Sequence, residues 1–189
     1  EEQNLSSTSS EQWTCPMHPE IVKDQAGACP LCGMDLVPMQ PDLSAEEKTY
    51  KKLLKKFWIA TLFTLPIFVI AMSEMVPSNP LYAVMDQKYW NWVQFALSIP
   101  VVFYATWMFF LRSYKSIITW KLNMFTLIGI GAGVAWLFSV FGMLFPDVFP
   151  SQFKTHFGAV HVYFEAATVI LTLVLLGQLL EARAHSKTN

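Results

Sequence analysis

Four stretches of this chain are apolar for long enough to cross a bilayer, at about 57–76, 89–111, 123–145 and 160–181. A crossing helix needs about 20 predominantly apolar residues. The breaks between them are polar or proline-bearing: VPSNP at 76–80, RSYKSIITWKL at 112–122 and PDVFPSQFKTHFG at 146–158. The pattern predicts a mostly α membrane protein of four transmembrane helices. Pro66 and Pro100 fall inside spans, where a ring without an amide hydrogen kinks a helix. Gly129, Gly131 and Gly133, with Ala132 and Ala135, predict close helix packing in the third span. Residues 112–122 are too polar to span, so they are expected on the membrane surface as an amphipathic segment.

Before the first span the pattern changes. Residues 1–12 are polar and Ser-rich with no hydrophobic period, which predicts a disordered lead-in. Residues 13–40 form a small loop-rich unit with too little aliphatic bulk to build a core without a staple. Residues 41–56 read as a basic linker helix, with Ser44 and Glu47 at capping-box spacing and Lys48, Lys51, Lys52, Lys55 and Lys56 just ahead of the membrane domain at 57–189. Arg112, Lys115 and Lys121 follow the second span, and Arg183 and Lys187 follow the fourth. The positive-inside rule then places both ends in the cytoplasm. The lysine cluster also suits anionic lipid, although orientation alone accounts for it.

Composition supports this reading. Hydrophobic residues make up 53% and charged residues 14%, too apolar and too charge-poor for an ordinary soluble domain. The formal net charge of −1 gives no basic surface for nucleic acid. The chain opens on Glu and ends without a helix stop, so it reads as an excerpt, and no signal-peptide pattern opens it.

The staple is visible in the spacing. Cys15-x2-His18 and Cys29-x2-Cys32 are two ligand pairs of the kind that close a tetrahedral site around a soft or borderline ion. All three cysteines of the chain fall here, at metal-like rather than disulfide-like spacing. Gly33 allows the turn after the second pair a positive φ. Two occupants stay open: a structural Zn²⁺, or Cu⁺ or a similar soft ion, for which Met17 and Met34 would add thioether ligands. Met39 lies in the same unit.

Ionisable residues inside apolar spans are costly and point to function. Glu165 and Glu181 sit near opposite ends of the fourth span, about 24 Å apart along a helix. Met124, at the start of the third span, falls at the same level as Glu181, and a thioether beside a carboxylate is a weak landing place for Cu⁺. His161 and Tyr163 precede Glu165 closely; His161 and His156 read as interface or loop histidines.

The motifs TCPMHPEI, CPLCGMDLVP, LNMFTLIGIGAGVAWLFS and VYFEAATVILTLVLLGQLLEARA, in this order, closely resemble the amino-terminal part of bacterial copper-transporting P-type ATPases that carry a Cys/His/Met-rich heavy-metal-binding domain. The resemblance covers residues 13–189. It implies an ATP-driven exporter of Cu⁺ or Ag⁺ in the bacterial inner membrane, with ATP and Mg²⁺ used by the full-length parent. It also implies that Met124 and Glu181 belong to a cytoplasmic intake, that Glu165 belongs to the exit path, and that the partners are lipid, the remainder of the same ATPase chain and a copper chaperone.

Two departures qualify it. Relatives commonly carry Gly-Gly followed by Trp-Pro in the second span, at a kink where the chaperone is thought to dock; here the residues are Ala105, Thr106, Trp107 and Met108. Ala and Thr suit a continuous helix better than Gly-Gly, which puts the kink and the docking role in doubt. The 189 residues also contain no Cys-Pro-Cys, Thr-Gly-Glu or Asp-Lys-Thr-Gly, so this portion alone is expected to be inactive as an ATPase. Alternatives are a free-standing membrane-anchored metal-binding protein, as sensor or chaperone, and a zinc knuckle tethered to a structural bundle.

Overall fold

The computed structural model describes residues 12–39, 43–156 and 158–188, and the expected lead-in lies outside them apart from Gln12. The first unit is a three-stranded antiparallel sheet of two-residue strands, β1 (Trp13–Thr14), β2 (Val22–Lys23) and β3 (Val37–Pro38), in the order β2-β1-β3. Strands this short cannot hold a domain by ladder bonds. Its buried residues are Cys15, Cys29, Cys32 and Leu36, so most of the small core consists of prospective metal ligands.

The basic linker and the first span form one helix, α1 (Leu43–Ser73), which runs through Pro66 without ending. Ser44 falls inside it, and Glu47 pairs with Lys51 at 2.7 Å. The third and fourth spans are α4 (Met124–Leu144) and α5 (Phe164–Thr188). Among the described residues, three helices, 46–73, 124–144 and 164–184, are long and apolar enough to cross a membrane.

The second stretch is different. α2 (Gln87–Pro100) passes into a π-helical turn at Val101–Ala105, and the chain then bends by 62° into α3 (Trp107–Ile118). Counted together as one broken span, this pair has the length and apolarity of a fourth crossing, and its bend equally suits a re-entrant loop. Pro100 cannot donate an amide hydrogen bond. Beyond it, the Thr106 amide reaches back five residues to the Val101 carbonyl at 3.0 Å, and the Thr106 hydroxyl donates to the same oxygen at 2.7 Å. The bend doubted from Ala105-Thr106 is therefore present. It is made by a proline and a back-bonding threonine instead of two glycines.

Packing explains the remaining small residues. A Cβ on Gly129 would run into the Ser113 side chain, so this glycine sets the approach of α4 to α3. Gly131 faces open space and Gly133 meets only ordinary contact from Phe110; neither is required by packing here. α1 and α5 lie side by side through Ala60, Ile67, Ala167, Leu171 and Leu175, all fully buried, and the hydroxyls of Thr64 and Thr172 meet at 3.1 Å. Leu62, Leu127 and Leu173 point outward, as lipid-facing residues do, because hydrocarbon gives helices no hydrophobic reason to bury them.

Candidate metal centre and ion path

Short backbone bonds shape the two ligand turns. The His18 amide donates to the Cys15 carbonyl at 3.2 Å, the Cys29 amide to the Met34 carbonyl at 2.7 Å, and the Gly33 amide to the Cys29 carbonyl at 2.9 Å. Gly33 has φ 74°, the positive value expected of it. The turns bring Cys15, His18, Cys29 and Cys32 together with all ligand atoms within 4.8 Å of one another. Cys15 Sγ lies 3.5 Å from Cys32 Sγ, and His18 Nδ1 lies 3.8 Å from Cys15 Sγ and 3.9 Å from Cys29 Sγ. A tetrahedron of thiolates about 2.3 Å from an ion has edges of about 3.8 Å. The donor set fits a metal with little rearrangement.

The thiols are unequal. Burial pushes Cys32 up to about 12, with the neighbouring Cys15 and Cys29 thiols adding to the rise and the Met34 backbone opposing it. Burial acts upward on Cys29 too, but backbone hydrogen bonds from Cys32 and Leu31, helped by the Cys15 and Cys32 side chains, hold it below its ordinary value. Of these two, Cys29 is the readier thiolate. Met17 is 63% exposed, whereas Met34 packs against both the cysteine cluster and the core of the membrane helices.

The metal-binding turn is seated on the membrane helices. Gly33 lies against the Arg112 backbone so closely that a Cβ would come within 2.8 Å of its Cα. The Thr119 hydroxyl donates to the Leu31 carbonyl at 2.6 Å, and Asn123 Nδ2 donates to the Cys32 carbonyl at 3.3 Å. Arg112 Nη2 pairs with Asp35 Oδ2 at 2.7 Å. Its guanidinium is buried beside the Phe109 and Phe125 rings, 5.8 and 5.0 Å from their centroids. Sequence reasoning used Arg112 only to orient a span. Its helical neighbour Phe109, one turn earlier, was the available sign of an inward face.

Beneath this contact lies the expected intake pair. Asn123 caps α4, accepting from the Phe125 and Thr126 amides at 2.9 and 3.2 Å, so Met124 opens that helix. Met124 and Glu181 both line an open cavity of about 480 Å³, with Gly177 and Gln178 between them. Arg112 Nη1 donates to Gln178 Oε1 at 3.4 Å, and Gln178 Nε2 donates to Glu181 Oε2 at 3.3 Å. Asp35, Arg112, Gln178 and Glu181 therefore form one chain of polar contacts from the metal turn to the cavity lined by Met124 and Glu181.

At the other end of α5, Glu165 stands in the first turn with Oε2 buried and without a hydrogen-bond partner among the described residues. His156 and His161 are exposed in the preceding loop, and the His161 amide donates to the Phe153 carbonyl at 3.1 Å. Sequence reasoning missed Glu74, the residue after α1, which lies close enough to Glu165 for the two carboxylates to interact and within hydrogen-bonding reach of Gln94 and Gln87 on α2. Asn91, on the same face of α2, has a buried Oδ1 without a hydrogen-bond partner among the described residues. The signal for the α2 residues was the spacing of Gln87, Asn91, Gln94 and Ser98, a polar stripe on one face of an otherwise apolar helix.

Residues 12–39 match a protein family described as "Heavy metal binding domain". Over 94% of its length the chain is 45% identical to a copper-exporting P-type ATPase of Legionella pneumophila subsp. pneumophila, covering 24% of that protein. It is 42% identical to a silver-exporting P-type ATPase of Salmonella typhimurium and 40% identical to a copper-transporting P-type ATPase of Rhizobium leguminosarum bv. viciae, covering 22% and 21% of them. The chain thus spans under a quarter of the length of these relatives. The resemblance read from its motifs is borne out across nearly all of its own residues.

Proposed function

We propose that this chain is the metal-receiving and metal-releasing membrane portion of an ATP-driven Cu⁺ or Ag⁺ exporter. The carrying observation is the seated metal turn: a soft-donor set of three thiols and an imidazole, joined by hydrogen bonds to the helices that bear Met124 and Glu181. The similarity to copper- and silver-exporting ATPases supports the cargo. The phosphorylation machinery is assigned to the part of those relatives that this chain does not span.

In this reading Cys15, His18, Cys29 and Cys32 hold a soft ion near the cytoplasmic face. Met124 and Glu181 offer one thioether and one carboxylate, a pair that binds Cu⁺ loosely enough to pass it on, and Glu165 receives the ion at the outer end. The amphipathic α3, set off by the bend at Thr106, is the docking face for a copper chaperone. Both chain ends are assigned to the cytoplasm by the lysine and arginine bias, in a bacterial inner membrane.

Cu⁺-stimulated ATP hydrolysis by the full-length parent in proteoliposomes tests the assignment. Glu181→Ala is expected to impair loading from the cytoplasmic side and Glu165→Ala mainly to slow release. Unchanged turnover in both variants counts against it. The same donor set also suits Zn²⁺; metal competition on the full chain, with Zn²⁺ retained against excess Cu⁺, would assign the knuckle a purely structural ion.

A further inference from the structure

α2 is inverted for a membrane helix. Gln87, Asn91, Gln94 and Ser98 recur at helical spacing and are all at least 95% buried, while Tyr89 and Trp92 face outward. Three of the four are engaged. Ser98 Oγ accepts from Trp136 Nε1 at 2.9 Å, Gln87 Oε1 accepts from the Thr155 hydroxyl at 2.6 Å, and Gln94 lies within hydrogen-bonding reach of Glu74. Asn91 is the exception: it is 3% exposed, and its Oδ1 has no hydrogen-bond partner among the described residues. Buried polar atoms are normally paired, and an exception calls for a reason.

Asn91 borders a cavity of about 470 Å³ between the start of α2, the end of α4 and the loop before α5, a volume within the range of small-molecule sites, about 300–1,000 Å³. The carboxamide turns about a soft terminal torsion, which lets it present its oxygen to this space. Asp86 and Lys88 line the same cavity, both exposed and neither in a salt bridge among the described residues. Asp86 is the N-cap residue of α2, yet its side chain makes no capping bond. The first turn of α2 therefore keeps amide donors and the positive end of its dipole for an anion. Met143, Pro146 and Val160 give the apolar part of the wall.

This lining asks for three things in one ligand: an N–H cation for Asp86 and Asn91, an anion for Lys88 and the helix start, and an apolar end. The cavity lies where α1 and α4 end and α2 and α5 begin, and Tyr89 and Trp92 face outward beside it, as aromatics do at the headgroup level. A ligand of this kind at this depth is a lipid. We propose that the cavity binds the headgroup of an ethanolamine phospholipid, whose ammonium donates to Asp86 and Asn91 and whose phosphate meets Lys88 and the α2 N-terminus. A choline headgroup carries the same two charges but no N–H for Asn91. A phosphatidylglycerol headgroup offers no cation to Asp86. The site is separate from the metal centre and does not depend on the identity of the cargo.

Native mass spectrometry of the delipidated full-length parent, titrated with phosphatidylethanolamine, phosphatidylcholine and phosphatidylglycerol of identical acyl chains, tests the assignment. The first ethanolamine lipid is expected to bind about tenfold more tightly than the choline lipid, the worth of one charge-assisted hydrogen bond. Asn91→Leu keeps the side-chain shape and is expected to erase that difference while ethanolamine lipid still outbinds phosphatidylglycerol. Asp86→Lys, at an exposed position, is expected to reverse the second preference in favour of phosphatidylglycerol, a gain that misfolding cannot produce. Equal binding of ethanolamine and choline lipids by the parent, or an Asp86→Lys protein with the parent's order of preference, overturns the site. Water-soluble glycerophosphoethanolamine is the separate arm: displacement of the lipid at equal concentration would reassign the cavity to a soluble ligand and overturn the lipid assignment.

Discussion

Replacing Asp35 by Asn removes the anion from the Arg112 contact while keeping the shape. The pair is lopsided: the Arg112 side chain is 6% exposed and that of Asp35 is 66%. A charged hydrogen bond contributes about 1.5–3 kcal/mol when well shielded, and an exposed ion pair about 0–1 kcal/mol. With one partner in water and the other held between two rings, a coupling of about 1–1.5 kcal/mol is expected, close to a tenfold rise in the undocked population. Arg112→Met retains the stem between Phe109 and Phe125 and loses both the Asp35 and the Gln178 contacts, so it should cost more than Asp35→Asn. Amide hydrogen exchange of residues 29–36 in the full chain measures undocking directly. A double-mutant cycle on those protection factors isolates the pair. A coupling below about 0.3 kcal/mol, within the additivity error of independent sites, would refute the claim that this ion pair seats the metal turn.

Three further outcomes are expected. Metal affinity of the knuckle should rise with pH through the neutral range: the Cys32 thiol, pushed up to about 12, keeps its proton until metal displaces it, so raising pH lowers the cost of binding, which chelator competition at pH 6, 7 and 8 would read. Gly129→Ala should destabilise the detergent-solubilised protein by about 1–3 kcal/mol through overpacking against Ser113, whereas Gly131→Ala, facing open space, should leave the thermal melt unchanged. Thr106→Val keeps the side-chain shape but removes the hydroxyl bond to Val101; a loss of about 1 kcal/mol in unfolding experiments and a smaller α2–α3 angle by spin-label distances are expected.

Much of this architecture was legible because it rests on local rules. Apolar runs of bilayer length located α1, α4 and α5, and the spacing of two ligand pairs located the knuckle, since a tetrahedral ion demands little beyond two turns. The rest depends on contacts distant in sequence. Nothing around Arg112 reveals that Asp35 will lie 2.7 Å away, and Glu74 sits just past the end of an apolar run, where an acid ordinarily marks the water boundary. At Ala105-Thr106 the sequence lacks the Gly-Gly of relatives, yet the span bends there. A proline six residues upstream and a hydroxyl returning to Val101 produce the same break by removing and redirecting hydrogen bonds.

The buried stripe on α2 also bears on how the chain enters the bilayer. During synthesis a helix is sorted by its own apolarity, and Gln87, Asn91, Gln94 and Ser98 lower that of α2, which meets the length and apolarity needed to cross only together with α3. α1 meets that test alone and packs against α2. Its prior insertion would give the four polar side chains a protein surface to face in place of lipid. Biogenesis would then proceed by hairpin, with α1 acting as the template that lets its less apolar neighbour leave the translocon.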